Sequence, residues 1–141
     1  MVRDFQAEDL NRIMELWLET NIQAHDFIKK NYWQDHFDEV MEILPKASVY
    51  VYEDNGSIEG FIGLMNNYIA GIFISKDNQS RGIGRQLLHH VKENHNELSL
   101  KVYEKNQRAV NFYLREGFLV TEKQVDRENG EVEYEMVWNR T

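Results

Sequence analysis

The chain has 141 residues, 42% of them hydrophobic, and carries a formal net charge of −8. That length fits one domain, 1–141, with a core that needs no covalent staples. It has no cysteine, which excludes disulfides, thiolate-ligated metals and cysteine nucleophiles, and its negative balance argues against nucleic acid or anionic membrane as partner. The N-terminal MVRDFQAEDL has no basic-then-apolar signal pattern. No apolar run approaches the ~20 residues of a membrane span. The expectation is a cytoplasmic protein, monomer or homodimer.

In chain order, VRDF at 2–5 reads as a short strand. Leu10, Ile13, Met14, Trp17 and Leu18 then recur at the spacing of one helix face, with Glu8 and Asp9 expected in its first turn. A second helical pattern starts near His25 and runs through Phe27, Ile28, Tyr32, Trp33, Phe37, Val40 and Met41. It either breaks near Asn31 or runs on to Leu44, ahead of Pro45. SVYVYE at 48–53 and IEGFIGLM at 58–65 are strands joined by the turn DNGS. YIAGIFIS at 68–75 is nearly all apolar, as suits a central strand. Beyond it, Ile83, Leu87, Leu88 and Val91 mark a helix face, ELSLKVY at 97–103 a strand, and NQRAVNFYLREG at 106–117 a helix ended by glycine. FLVTEKQV at 118–125 and VEYEMVW at 132–138 close as a hairpin around RENG. The sum is an α/β domain with a mixed sheet and about four helices.

The segment ISKDNQSRGIGRQLL, 74–88, places Gly82 and Gly84 in the expected first turn of a helix, directly after an apolar strand. Glycine there costs about 0.5–1 kcal/mol relative to alanine. First-turn amides have no intrahelical partner and sit at the positive end of the dipole, so a bare turn can cradle an anion such as phosphate. Arg81 adds a full positive charge. Alternatively, the glycines serve only the conformation of a tight strand-to-helix turn. A Walker loop is excluded because no lysine follows Gly84. The dinucleotide fingerprint fits poorly, since its third glycine is missing and the motif lies mid-chain.

Gln79, Gly82 and Gly84 stand in the pattern Q/R-x-x-G-x-G/A, and Asn106, Ala109, Tyr113, Gly117 and Phe118 in N-x-x-A-x-x-x-Y-x-x-x-G-F. With these two motifs in this order, the chain resembles the Gcn5-related N-acetyltransferases (GNAT). The resemblance implies a mixed, mostly antiparallel central sheet with splayed central strands, flanked by about four helices. It implies acetyl-CoA as cofactor, with the pyrophosphate on backbone amides from Ser80 through Arg81, Gly82, Ile83 and Gly84 to Arg85, and Gln79 in the same motif. The pantetheine arm would pair with the backbone of Ile72 and Ile74, in a slot between strands 68–75 and 97–103. Asn106 would either bind that arm or cap the following helix. Tyr113 would be the general acid, giving a proton to the departing thiolate while a neutral amine attacks the acetyl carbonyl.

Two departures from the family pattern matter. Lys76 stands where proline is common. Tyr68 stands where many members carry a glutamate base, and a neutral tyrosine is a poor base near neutrality. The base is then elsewhere, a water chain, or unnecessary if the amine arrives deprotonated. The resemblance puts the acceptor, a small-molecule or peptide amine, against the first two helices. There His25 is a candidate that titrates near neutrality, or else a helix-start or surface residue. Tyr32, Trp33 and Tyr68 form an aromatic acceptor wall or a core stripe. Asp26, Asp35, Asp38 and Glu39 attract a cation or form a solvated face. The histidines make no ligand cluster, so no metal is expected. The rival to an enzyme is a non-catalytic acyl-CoA-binding or sensing protein.

Overall fold

The computed structural model describes residues 1–141. Seven strands form one sheet in the order β1-β2-β3-β4-β5-β7-β6. In chain order these are β1 (Val2–Asp4), α1 (Leu10–Ala24), α2 (Lys30–Ile43), β2 (Ser48–Asp54), β3 (Ser57–Met65), β4 (Tyr68–Ile74), α3 (Ile83–Lys92), β5 (Glu97–Tyr103), α4 (Gln107–Arg115), β6 (Leu119–Asp126) and β7 (Glu131–Asn139). Every neighbouring pair is antiparallel except β4 with β5. The mixed, mostly antiparallel sheet with four α-helices is the architecture expected from the sequence.

Strand alternation divides the apolar residues between two cores. Val49, Val51 and Phe61 pack under α1 and α2 with Ile13, Met14, Leu16, Trp17 and Trp33. Ile62, Leu64, Leu98 and Leu100 pack under α3 and α4 with Leu87, Leu88, Val91 and Phe118. The sheet lies between them.

Three local expectations are corrected. Glu8 and Asp9 belong to a 3-10 turn, Ala7–Asp9, ahead of α1 rather than to its first turn. Asp9 is buried, accepts two bonds from Arg3 (2.9 and 3.1 Å) and one from the Gln6 amide (2.8 Å), and so ties β1 to the helix start. The second helical pattern breaks at its beginning: α1 ends at Ala24, residues 25–29 turn, and α2 starts at Lys30. Gly82 lies before the first turn of α3, as its N-cap.

The central strands part for a visible reason. β4 pairs with β5 only at Tyr68–Ser99 and Ile69–Leu100. On the other edge, Gly63 faces Gly71 while Leu64 faces Ile69, so Ala70 is an extra, bulged residue. A bulge bends its strand and increases its twist. From Ala70 onward β4 swings away from β5 and opens a slot.

Candidate active site

The slot opens into a cavity of about 1270 Å³, walled by the end of α1, by β4, by the loop and first turn of α3, and by α4. Its two sides carry different chemistry. The edge of β4 is a row of backbone groups. Ser75 N–H donates to Glu59 C=O (2.9 Å), so by antiparallel alternation Phe73 and Gly71 also turn their bonds toward β3. Ile72 and Ile74 therefore turn their amides and carbonyls toward the slot, where β5 has left. The carbonyl of Ile74 is met by Gln79 Nε2 (3.1 Å). The others are open to a ligand that can pair like a strand.

The loop beyond β4 is held from several directions. Glu59 accepts bonds from Ser75 Oγ (2.7 Å) and Asn78 Nδ2. Arg108, in α4, donates to Gln79 Oε1 (2.8 Å) and Ser80 Oγ (2.7 Å). Arg81 donates to Asn78 Oδ1 (2.6 Å). Gly82 has φ +81°, a left-handed conformation that glycine adopts without strain, and a Cβ there would meet nothing within 4 Å. Gly84 is different. Its φ is ordinary, and a Cβ would touch Phe112 at 3.5 Å, a normal contact. Conformation alone thus accounts for Gly82 but not for Gly84, which lines the cavity. The first intrahelical amide bond is Gln86 N–H to Gly82 C=O, and no side chain caps the turn. The N–H groups of Ile83, Gly84 and Arg85 are left facing outward at the positive helix end.

The third wall is α4, which the second motif encodes as a helix with both ends finished. Asn106 is its N-cap, and Oδ1 accepts from Ala109 N–H at 3.3 Å. At the other end Gly117 has φ +94°, Phe118 N–H bonds the Tyr113 carbonyl (2.9 Å), and Gly117 N–H bonds that of Leu114 (3.2 Å). This is a Schellman cap, and it explains the Tyr-to-Gly-Phe spacing. Tyr113 is 7% exposed, packed against Phe112 and Phe118, and borders the cavity. Burial, with a smaller contribution from Tyr68, holds its phenol well above the usual value, so it keeps its proton.

On the acceptor side, His25 borders the cavity at the C-cap of α1, with Nε2 3.3 Å from Asn106 Nδ2. Burial pushes its pKa down to about 4, which corrects the expectation that it titrates near neutrality. The three aromatic candidates form no common wall and do not border the cavity. Trp33 is buried in the α1–α2 core, edge-on to Trp17 at 5.9 Å. Tyr32 lies beside the β6–β7 turn, near Asp126 and Glu128. Tyr68 is exposed, next to Glu133 and Glu135; desolvation around its ring first, then those carboxylates, push its phenol upward, which makes it no base. Asp26, Asp35, Asp38 and Glu39 are exposed. No group of three or more histidines and carboxylates is placed to hold a metal ion, and no helix is long and apolar enough to cross a membrane.

Sequence reading missed Arg108, Glu59 and the bulge at Ala70. Arg108 lies inside the second motif, yet its partners are 28 and 29 residues away. Glu59 alternates like any solvent-facing strand residue, and nothing local marks Ala70 as unpaired.

A splayed parallel pair beside a bare glycine turn, inside an otherwise antiparallel sheet, is the distinguishing feature of this fold. The chain matches the acetyltransferase (GNAT) domain over residues 5–139 and belongs to that family. It is 40% identical over 124 residues to the peptidyl-lysine N-acetyltransferase YiaC of Escherichia coli K12, covering 86% of this chain and 85% of that protein. It is 31% identical to the peptidyl-lysine N-acetyltransferase YjaB of the same organism, over 85% and 82% of the two chains. The solution structure of apo YjaB from Escherichia coli superposes with a TM-score of 0.85 at 28% identity, covering 98% of this chain and 96% of that one. The PaiA N-acetyltransferase of Thermoplasma acidophilum, solved with coenzyme A, shares the fold with a TM-score of 0.83 at 17% identity, covering 99% and 98%. The GNAT fold expected from the motifs is therefore present, and family membership implies acetylation of an amine as the general activity.

Proposed function

We propose that this protein transfers the acetyl group of acetyl-CoA directly to a primary amine, with a peptide lysine side chain as the leading acceptor. The observation that carries the reading is the unpaired edge of β4 running into the bare first turn of α3. A ligand that needs both is a thin amide-bearing arm with a diphosphate at its end. Ile72 and Ile74 pair with the arm, and the amides of Ile83, Gly84 and Arg85 receive the diphosphate. Lys76, Lys105, Arg108 and Arg115 also border this cavity, with Glu116 its only carboxylate, so the rim is cationic in a protein of net charge −8.

Acetyl-CoA supplies an activated thioester, and attack by a neutral amine at its carbonyl displaces the thiolate. The chain's own residues then have three tasks. The slot holds arm and amine in one geometry, which lowers the entropic part of the barrier. Exposed β4 amides near the bulge offer donors to the carbonyl oxygen as its charge grows. Tyr113 gives its proton to the departing sulfur, and the proton that the attacking nitrogen sheds as the amide forms passes through solvent and restores the phenol. Burial keeps the phenol in its donor form until the thiolate leaves, and because it raises the proton affinity of that thiolate as well, the raised phenol pKa does not by itself set the transfer back. Glu133 and Glu135, beside Tyr68, set a negative potential that attracts a cationic amine, which gives up its extra proton to solvent before it attacks. The names of YiaC and YjaB favour a peptide lysine over a small amine.

The test is acetyl-CoA with a panel of lysine peptides and small amines, read by acceptor mass and by free thiol. The expected result is a peptide acetylated on the lysine side chain, with one thiol released per acetyl. Acetylation confined to small amines would move the acceptor class. Binding of acetyl-CoA without thiol release would favour the non-catalytic acyl-CoA-binding reading.

A further inference from the structure

His25 ends α1, and Asn106 begins α4 on the other side of the slot. They are 81 positions apart in the chain and neighbours in space, with His25 Nε2 3.3 Å from Asn106 Nδ2. The roles of these atoms follow from a second bond. Asn106 Oδ1 accepts Ala109 N–H (3.3 Å) at the helix cap, so the amide nitrogen is the end that faces His25. An amide nitrogen only donates, and Nε2 must therefore accept. The proton of the neutral imidazole is then on Nδ1. That nitrogen is buried with no hydrogen-bond partner, and the Asn21 backbone lies near enough to the ring to favour its protonated form.

The ring has little freedom to turn. It stacks on Trp33 (5.1 Å, 26° between planes) and meets the edges of Phe27 (5.7 Å) and Tyr103 (5.3 Å). With Nε2 engaged and Nδ1 buried, neither nitrogen is free for an incoming amine. No other side-chain hydrogen bond or ion pair joins α1 or α2 to α4. We propose that His25 is a positioning residue: its Nε2 holds the Asn106 amide across the mouth of the cavity and so sets the first turn of α4, two turns ahead of Tyr113. The aromatic box formed by Phe27, Trp33 and Tyr103 then has a purpose beyond packing, which is to aim one lone pair.

Two measurements test this, and only the second rests on the acyl-CoA reading above. The first is the nitrogen-15 NMR signature of His25 in the unliganded protein at neutral pH. The expected tautomer is Nδ1–H, the less common one for free histidine. Asn106→Asp keeps an oxygen for the cap but sets another opposite Nε2, so the proton should move onto Nε2. An Nε2–H tautomer in the wild type, or no response in Asn106→Asp, overturns the proposal. The second is calorimetric titration with coenzyme A. His25→Phe keeps the stack and removes the acceptor, and should weaken binding about 3- to 10-fold, the worth of one neutral hydrogen bond. His25→Gln loses the stack but can accept, and should return affinity to within about twofold of wild type. Phe equal to wild type, or Gln as weak as Phe, assigns His25 to packing and overturns the proposal. A wild type with the Nδ1–H signature but no affinity for coenzyme A supports the placement of His25 and contradicts the ligand instead.

Discussion

Tyr113 is buried against the slot and His25 half-buried, and desolvation moves them in opposite directions for one reason: a low-dielectric site disfavours whichever form is charged. The phenol is kept protonated and the imidazole is kept neutral. Tyr113→Phe removes only the proton donor. It should lower kcat by at least roughly tenfold and leave acetyl-CoA affinity nearly unchanged, because the interaction develops mainly in the transition state. For His25 the consequence is for stability. Its folded pKa, about 4, lies below the ordinary value near 6.5. Between those two values the unfolded chain takes up a proton that the folded chain refuses, so stability declines as pH falls through that window. His25→Gln should flatten this decline, as measured by urea unfolding at neutral pH and near pH 4.5; an equal slope in both proteins would mean that His25 is solvated. Little of this was readable from the sequence. Tyr113 announces itself by its caps, which are local. The partners of His25 come from α2, β5 and α4, and no nearby spacing reports them. Trp33 fits a helical stripe equally well whether its ring meets substrate or core.

At the scale of elements, the sequence was most informative where structure is set within a few residues. Asn106 and Gly117 bracket α4 as a cap pair should, and the strands of the two hairpins fall within a residue or two of their expected ends. The splay was expected only through the family resemblance, since no local spacing marks it: it depends on which β4 residue is left unpaired against β3. The glycine turn shows both cases. Gly82 is required by its backbone angle, whereas Gly84 is not required by anything the fold itself supplies. Gly84→Ala should therefore leave the protein as stable or raise stability by about 0.5–1 kcal/mol. Gly84→Asp, which puts a negative side chain over the exposed amides, should weaken coenzyme A binding by roughly tenfold or more while the protein remains folded. Thermal unfolding alongside calorimetry checks both. An aspartate variant that binds within about twofold of wild type would remove the diphosphate from this turn. At the other wall, Asn106→Ala loses the cap and should cost about 1 kcal/mol of stability.

For the molecule as a whole, charge is sorted by side. A chain with net charge −8 gathers Lys76, Arg85, Lys105, Arg108 and Arg115 around one cavity, while Glu133 and Glu135 flank Tyr68. An anionic cofactor and a cationic acceptor would then approach regions of opposite potential. Coenzyme A affinity should fall as salt rises, since exposed rim charges are screened over about 8–10 Å at physiological ionic strength. The turn lacks the Walker lysine and the third Rossmann glycine, so ATP and NAD should not displace acetyl-CoA at equal concentration. The central claim is that this slot brings a thioester and an amine together and that Tyr113 completes the exchange. Its most direct test is one reaction followed two ways, free thiol and acetylated lysine peptide, on wild type and Tyr113→Phe at fixed pH. Equal yields of thiol and acetyl-lysine in the wild type, with a rate at least roughly tenfold lower in the variant, are the predicted result. Thiol release without acetylated peptide, or an unchanged rate in Tyr113→Phe with the chemical step limiting, would contradict it.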